Sequence, residues 1–178
     1  YGGEDIPCIV FHAPHKKTED KSWWARYCQK AAEDLKALND KFLICIENIQ
    51  NFPGYQTSLI DPGEMLDFVK ENGLYINMDT THYAQCGIDI VSTAKFSRDF
   101  VKGVHFSDYM DGKRHLFPGE GALDLKGFVN SLKLDSLHAF TLECNIPYEA
   151  GNPKVAIEGM KRARSYVEAL IQESQTTE

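Results

Sequence analysis

A parallel α/β fold, assembled as about five of the eight units of a (β/α) barrel, is predicted for this 178-residue chain from three observations. Five short apolar runs each lead into a polar residue: Ile6 to Phe11 before His12, Phe42 to Ile46 before Glu47, Leu74 to Met78 before Asp79, Phe100 to Val104 before His105, and Ala139 to Leu142 before Glu143. Stretches with helical periodicity separate the runs; strands so separated cannot be joined as hairpins and should lie parallel, with helices packed outside. The polar ends recur about every 33 residues, close to the roughly 31 obtained by dividing a barrel of about 250 residues by eight. A doubly wound sheet would give a similar rhythm.

The elements follow in order. The run 6–11 ends in His12-Ala13-Pro14. Ser22 to Leu38 then carries Trp24, Tyr27, Cys28, Ala31, Leu35 and Leu38 at helical spacing with charged residues between them, the pattern of an amphipathic helix. Trp23, Trp24 and Tyr27 lie on that one helix and read as core or subunit packing rather than a base-stacking platform. Phe42 to Ile46 is short and wholly apolar, as expected of a strand covered on both faces. Asp61-Pro62-Gly63-Glu64 marks a helix start, and Gly73 a helix end. Further helices are expected near 88–96 and 125–132, and from Pro153 to about Ile171. The chain therefore divides into one domain, 1–171, and a frayed tail, 172–178.

With 43% hydrophobic and 25% charged residues, the composition is that of a folded protein. A formal charge of −7 removes the basic footprint of a nucleic-acid binder. No apolar run of about 18 residues could span a bilayer, and no signal peptide is visible. Five cysteines, odd in number and without a CxxC pair, point to a reducing, cytoplasmic setting. Cys45 and Cys144, near the two glutamates, are expected to point away from the barrel mouth as packing residues.

Parallel α/β folds gather their active sites at the carboxyl ends of the strands. All five residues there can ligate a metal, and carboxylates mixed with imidazoles suit Mn²⁺, Zn²⁺, Fe²⁺, Co²⁺ or Mg²⁺. A glutamate at a strand end can instead cap the next helix, and Asp79 with His82 can form a structural hydrogen bond; five such residues in succession argue for a site. His12 is read equally as a ligand or as a packing residue. Phe117-Pro118-Gly119-Glu120-Gly121 is too weak for a dinucleotide motif and reads as a loop over the site.

At these residues the sequence resembles the xylose-isomerase-like TIM barrels, the superfamily of sugar isomerases, sugar epimerases and endonuclease IV. The matching segments are Ile-Glu-Asn (46–48), Met-Asp-Thr-Thr-His (78–82), Val-His-Phe-Ser-Asp (104–108), Pro-Gly-Glu-Gly-Ala-Leu-Asp (118–124) and Leu-Glu-Cys-Asn (142–145). They span nearly the whole chain and correspond to strands five to eight, with His12 on strand four. The resemblance implies that Glu47, Asp79, His105 and Glu143 bind one divalent cation, its identity open among Mn, Zn, Mg and Co. It further implies that His82 contacts substrate, that Arg114 or His115 holds a hydroxyl or phosphate, and that His12 shapes the pocket.

The implied activity is isomerisation or epimerisation of a sugar or sugar phosphate through an enediolate, with Glu47 and Glu143 as proton acceptor and donor. One alternative is an endonuclease-IV-like zinc phosphodiesterase. That branch needs three zinc ions and an aspartate two residues before the loop histidine, where this chain has Lys113. Another alternative is a noncatalytic barrel relative that binds a polyol. Three units, about 95 residues on the unit estimate, are absent at the front; the expectation is that a preceding segment of the natural protein, or a homo-oligomeric partner, covers the gap.

Overall fold

A computed structural model of the chain describes residues 7–18, 20, 23–38 and 41–175. The expectations for Ile6, Ser22 and 176–178, and for the side chains of Trp24 and Cys28, fall outside the described residues. The elements are β1 (Cys8–His12), β2 (His15–Lys17), α1 (Trp23–Lys36), β3 (Leu43–Glu47), β4 (Tyr55–Thr57), α2 (Pro62–Asn72), β5 (Tyr75–Asp79), α3 (Thr80–Gln85), α4 (Ile90–Ser97), β6 (Val101–Phe106), β7 (Asp108–Met110), β8 (Lys113–Leu116), α5 (Leu125–Ser131), a single 3-10 turn at Leu134–Ser136, β9 (Ala139–Leu142) and α6 (Pro153–Gln175). No described helix is long and apolar enough to cross a membrane.

The five expected strands form one parallel sheet in the order β1-β3-β5-β6-β9, half of a barrel wall. One face of it packs on the helices. Ile44, Ile46, Ile76, Met78, Val104 and Phe106 alternate along their strands and meet Met65, Val69, Phe128 and Val167 from α2, α5 and α6 in a single apolar core. Alternation puts Cys45, Asn77, Gly103 and Thr141 on the other face, the inside of the barrel wall.

Local signals account for the helix ends. Asp61 caps α2 by accepting from the N–H groups of Gly63 and Glu64, and Gly73 ends it at φ 65°, the left-handed conformation that glycine adopts freely. The last helix runs on to Gln175, so 172–175 is helix rather than the frayed tail expected. Ile171 still packs against the core, and Glu173 pairs with Lys126 at 2.7 Å.

A second correction concerns Cys45. It lies two residues before Glu47, and with a side-chain period of two it faces the same way as that glutamate, one layer below it. Its Sγ lies 3.5 Å from that of Cys8 across β1 and β3, and both thiols are free.

Two short antiparallel pairs, β2 with β4 and β7 with β8, rise beyond the sheet's carboxyl end. The β7–β8 turn is Asp111-Gly112, with φ 49° and 79°, the two positive angles a tight hairpin requires. Asp108 ties the loop after β8 back to this hairpin. Its carboxylate accepts from the N–H groups of Tyr109 (2.8 Å), Gly119 (3.0 Å), Gly121 (2.9 Å) and Leu123 (3.1 Å). A Cβ on Gly121 would lie 2.3 Å from Asp108 Oδ1 and 2.7 Å from Tyr109 N, so the loop closes only around glycine.

Replacing Asp108 by Ala strands four N–H donors around a buried space. We expect a loss of about 3 kcal/mol in urea denaturation. A loss under about 1 kcal/mol would mean that water replaces the carboxylate at little cost.

Candidate metal centre

Register brings the predicted residues together. His12 pairs with Glu47 across β1 and β3, and Asp79 with His105 across β5 and β6. Glu47 pairs with Asn77, two residues short of Asp79, and His105 with Thr141, two residues short of Glu143. Every offset is zero or two, so all five side chains emerge on the barrel-interior face. One ligand atom each from Glu47, Asp79, His105 and Glu143 lies within 4.8 Å of the others.

The chain holds this cluster without satisfying it internally. Glu47 Oε1, Asp79 Oδ2 and His105 Nδ1 are buried and lack a hydrogen-bond partner. His105 Nδ1 approaches Glu47 Oε2 at 3.2 Å and Glu143 Oε2 at 2.6 Å without hydrogen-bond alignment to either. Buried polar atoms left unmatched are costly, and here three converge on one point with a third carboxylate, that of Glu143, beside them. A divalent cation would satisfy all of them at once, and the mixed carboxylate–imidazole donor set suits one. Glu47 and Asp79 close one side of the group; the Glu143 side chain, 44% exposed, leaves the other side open.

Supporting contacts aim the ligands. Asp79 is divided in function: Oδ1 caps α3 by accepting from His82 N at 2.7 Å, which leaves Oδ2 for a cation. Capping therefore occupies one Asp79 oxygen and leaves the other available. Asn48 clamps the same residue, its amide donating to Asp79 O (3.0 Å) and accepting from Asp79 N (2.8 Å). Sequence reasoning gave Asn48 no role; the available signal was a second polar residue directly after Glu47 where the apolar run stops. Glu143 N donates to Phe106 O, fixing the backbone of the residue just past β9.

The expected substrate residues divide into two groups. The structural Asp79–His82 hydrogen bond runs through the His82 backbone N–H, while the ring Nδ1 lies 2.9 Å from Asn48 O, 3.4 Å from Glu47 Oε1 and 3.7 Å from Asp79 Oδ1. His115, at φ 50° in β8, places Nδ1 3.0 Å from Glu143 O, and its ring stands edge-on to that of His82 at 5.5 Å. His12 flanks the cluster, with Nε2 3.5 Å from Glu47 Oε1. These three imidazoles border the open side. Arg114 is not gathered with them: it is exposed and makes no ion pair among the described residues.

Charge within the group is divided unevenly. Burial pushes the Glu47 carboxyl up, but the imidazoles of His105, His82 and His12 more than offset this and hold it at about 2. Burial dominates at Asp79, pushing it up to about 6, with negative Glu47 adding to the shift and His82 opposing it. Burial favours neutral His105, yet Glu47 and the other carboxylates outweigh it and raise its pKa; His82 is raised in the same way by Glu47 and Asp79.

Comparison with known proteins gives a consistent fold. The family model for the xylose isomerase-like TIM barrel matches residues 4–166. A structure of L-ribulose 3-epimerase is similar at a TM-score of 0.74 and 13% identity, with 96% of this chain and 63% of that one covered. A D-tagatose 3-epimerase-like protein is similar at 0.68 and 19% identity, over 94% and 64%. The IolI protein with a bound zinc atom is similar at 0.70 and 18% identity, also over 94% and 64%. The chain spans less than two-thirds of the length of each of the three. No curated protein sequence matches it.

A cation entering this cluster must displace the protons that Asp79 and the raised histidines hold, so its affinity should depend on pH. Below about pH 6 the Asp79 proton adds its competition to that of the raised His105, and Mn²⁺ affinity should fall by about tenfold or more per pH unit. Calorimetric titration in buffers of differing ionisation enthalpy would register the released protons. Equal affinity at pH 5 and pH 7 would contradict the assignment.

Proposed function

Since the chain belongs to the xylose isomerase-like TIM barrel family, we propose that it is the metal-binding portion of a divalent-metal-dependent sugar or sugar-phosphate isomerase or epimerase. One observation carries the reading: the buried, unmatched atoms of Glu47, Asp79 and His105 meeting Glu143 at the mouth of the barrel wall. The similarity to sugar epimerases supports it at the level of the fold.

A bound divalent ion would polarise a sugar carbonyl and its neighbouring hydroxyl, stabilising the charge left when the adjacent C–H proton departs. The protein supplies the rest. Glu47, held ionised at neutral pH, and Glu143, half-exposed on the open side, are two carboxylates in unlike environments, as a base that removes one proton and an acid that delivers another require. His82 and His115 each engage Nδ1 with a backbone carbonyl, Asn48 O and Glu143 O. With Nδ1 donating, Nε2 of each ring is an acceptor for a substrate hydroxyl. Asp79 and His105 hold the cation and do not move the proton.

Glu143→Gln keeps the shape and an oxygen donor while removing the carboxyl group that returns a proton to the sugar carbon. Incorporation of solvent deuterium into ketoses, with and without phosphate, in the presence of Mn²⁺ should fall by about 10²-fold or more, with the far-ultraviolet spectrum unchanged. Exchange at the wild-type rate would remove Glu143 from proton transfer. A wild-type chain that binds the ketoses without exchange would instead mark a polyol-binding relative.

A further inference from the structure

A cavity of about 680 Å³ opens next to the carboxylate cluster and shares His12 with it. Its walls include His12, His15, Lys16, Lys30, Trp23 and Tyr27, and no carboxylate lines it among the described residues. In a chain of net charge −7, this is a local reversal of sign. The neighbouring cluster has three carboxylates; the cavity beside it has two lysines and two histidines.

The lysines are not equivalent. Lys30 is paired with Asp34 one helical turn on, so its charge is largely answered. Lys16 makes no ion pair among the described residues and is the cation left to meet a ligand. Its strand is braced. Lys16 lies opposite Gln56 in the β2–β4 pair, the adjacent His15 ring packs against Phe52 (5.6 Å) and Tyr55 (5.9 Å), and Ser58 bonds to Pro14 O just ahead of β2. Trp23, almost wholly buried, packs on Tyr27 at 5.6 Å and gives the cavity an apolar flank for the C–H face of a carbon chain.

Opposite polarity at the cluster and at the cavity that adjoins it through His12 would orient a ligand that reaches both. An anionic group is repelled by Glu47, Asp79 and Glu143 unless a cation cancels them, and is attracted by Lys16; a carbonyl with its hydroxyl has the reverse preference once a cation is bound. We propose that the cavity is an anion-accepting subsite, with Lys16 as its main donor, for the phosphate or carboxylate at the far end of a sugar whose carbonyl end lies at Glu47 and Glu143. The placement of the sugar rests on the proposed function; the anion preference stands on the cavity itself.

The test is calorimetric binding of D-fructose, D-fructose 6-phosphate and D-gluconate to the wild-type chain and to Lys16→Glu, with Mn²⁺ and after chelation, at low and high salt. A charge-assisted contact should make at least one anion bind about tenfold tighter than fructose. That preference should shrink in high salt and vanish in Lys16→Glu. The favoured anion tells phosphate from carboxylate. Neither anion binding better than fructose, or a preference that survives Lys16→Glu, overturns the proposal. The chelated arm separates the two readings: anion preference without Mn²⁺ binding keeps the subsite and removes the metal enzyme, whereas Mn²⁺ binding and deuterium exchange without anion preference do the reverse.

Discussion

The parity of the strand offsets is the constraint on which the site depends. A β-strand presents alternate side chains to opposite faces, so residues on neighbouring strands share a face only if their stagger is even. Glu47, Asp79, His105 and Glu143 are staggered by zero or two along the register. A slip of one residue on any strand would send its ligand into the helix-facing core and an apolar neighbour, such as Ile46 or Met78, into the site. The core therefore enforces the site: burying Ile44, Ile46, Ile76, Met78, Val104 and Phe106 fixes the register, and the register fixes where the charges meet.

What the packing fixes, a small set of polar contacts then aims. Asn48 holds the backbone of Asp79 from the adjacent strand, and the α3 cap consumes one Asp79 oxygen so that the other faces inward. Thr80 and Thr81 bond Ser107 at the root of the β7–β8 hairpin, which carries His115 to the Glu143 carbonyl. Such outer contacts orient ligands and restrict their motion. The same interior face, one layer below, holds Asn77 with both amide atoms buried and unmatched, packed so closely on Gly103 that a Cβ there would lie 2.2 Å from Asn77 Oδ1. The described sheet has β1 and β9 as its outer strands.

Much of this was legible in the sequence because the signals were strong and local. Apolar runs ending in Glu47, Asp79 and His105 marked strands with a polar residue facing inward at the carboxyl end, and Asp61-Pro62 with Gly73 bounded α2 almost to the residue. The short elements were not legible. α3 has six largely polar residues and no apolar period to mark it. The β7–β8 hairpin did carry a signal, Asp111-Gly112, but its strands are too short for alternation to show. For Cys45 the face follows from parity rather than from nearness in sequence: two residues from Glu47, it shares that glutamate's face.

The central claim is that the unmatched atoms of Glu47, Asp79 and His105, together with the Glu143 carboxylate, form the seat of a single divalent cation. Crystals grown with Mn²⁺ and measured at the manganese absorption edge test it most directly. The account predicts one anomalous peak within about 2.0 to 2.4 Å of an oxygen from each of the three carboxylates and a nitrogen of His105. A peak elsewhere on the chain, or none at this cluster at saturating Mn²⁺ and neutral pH, would contradict it.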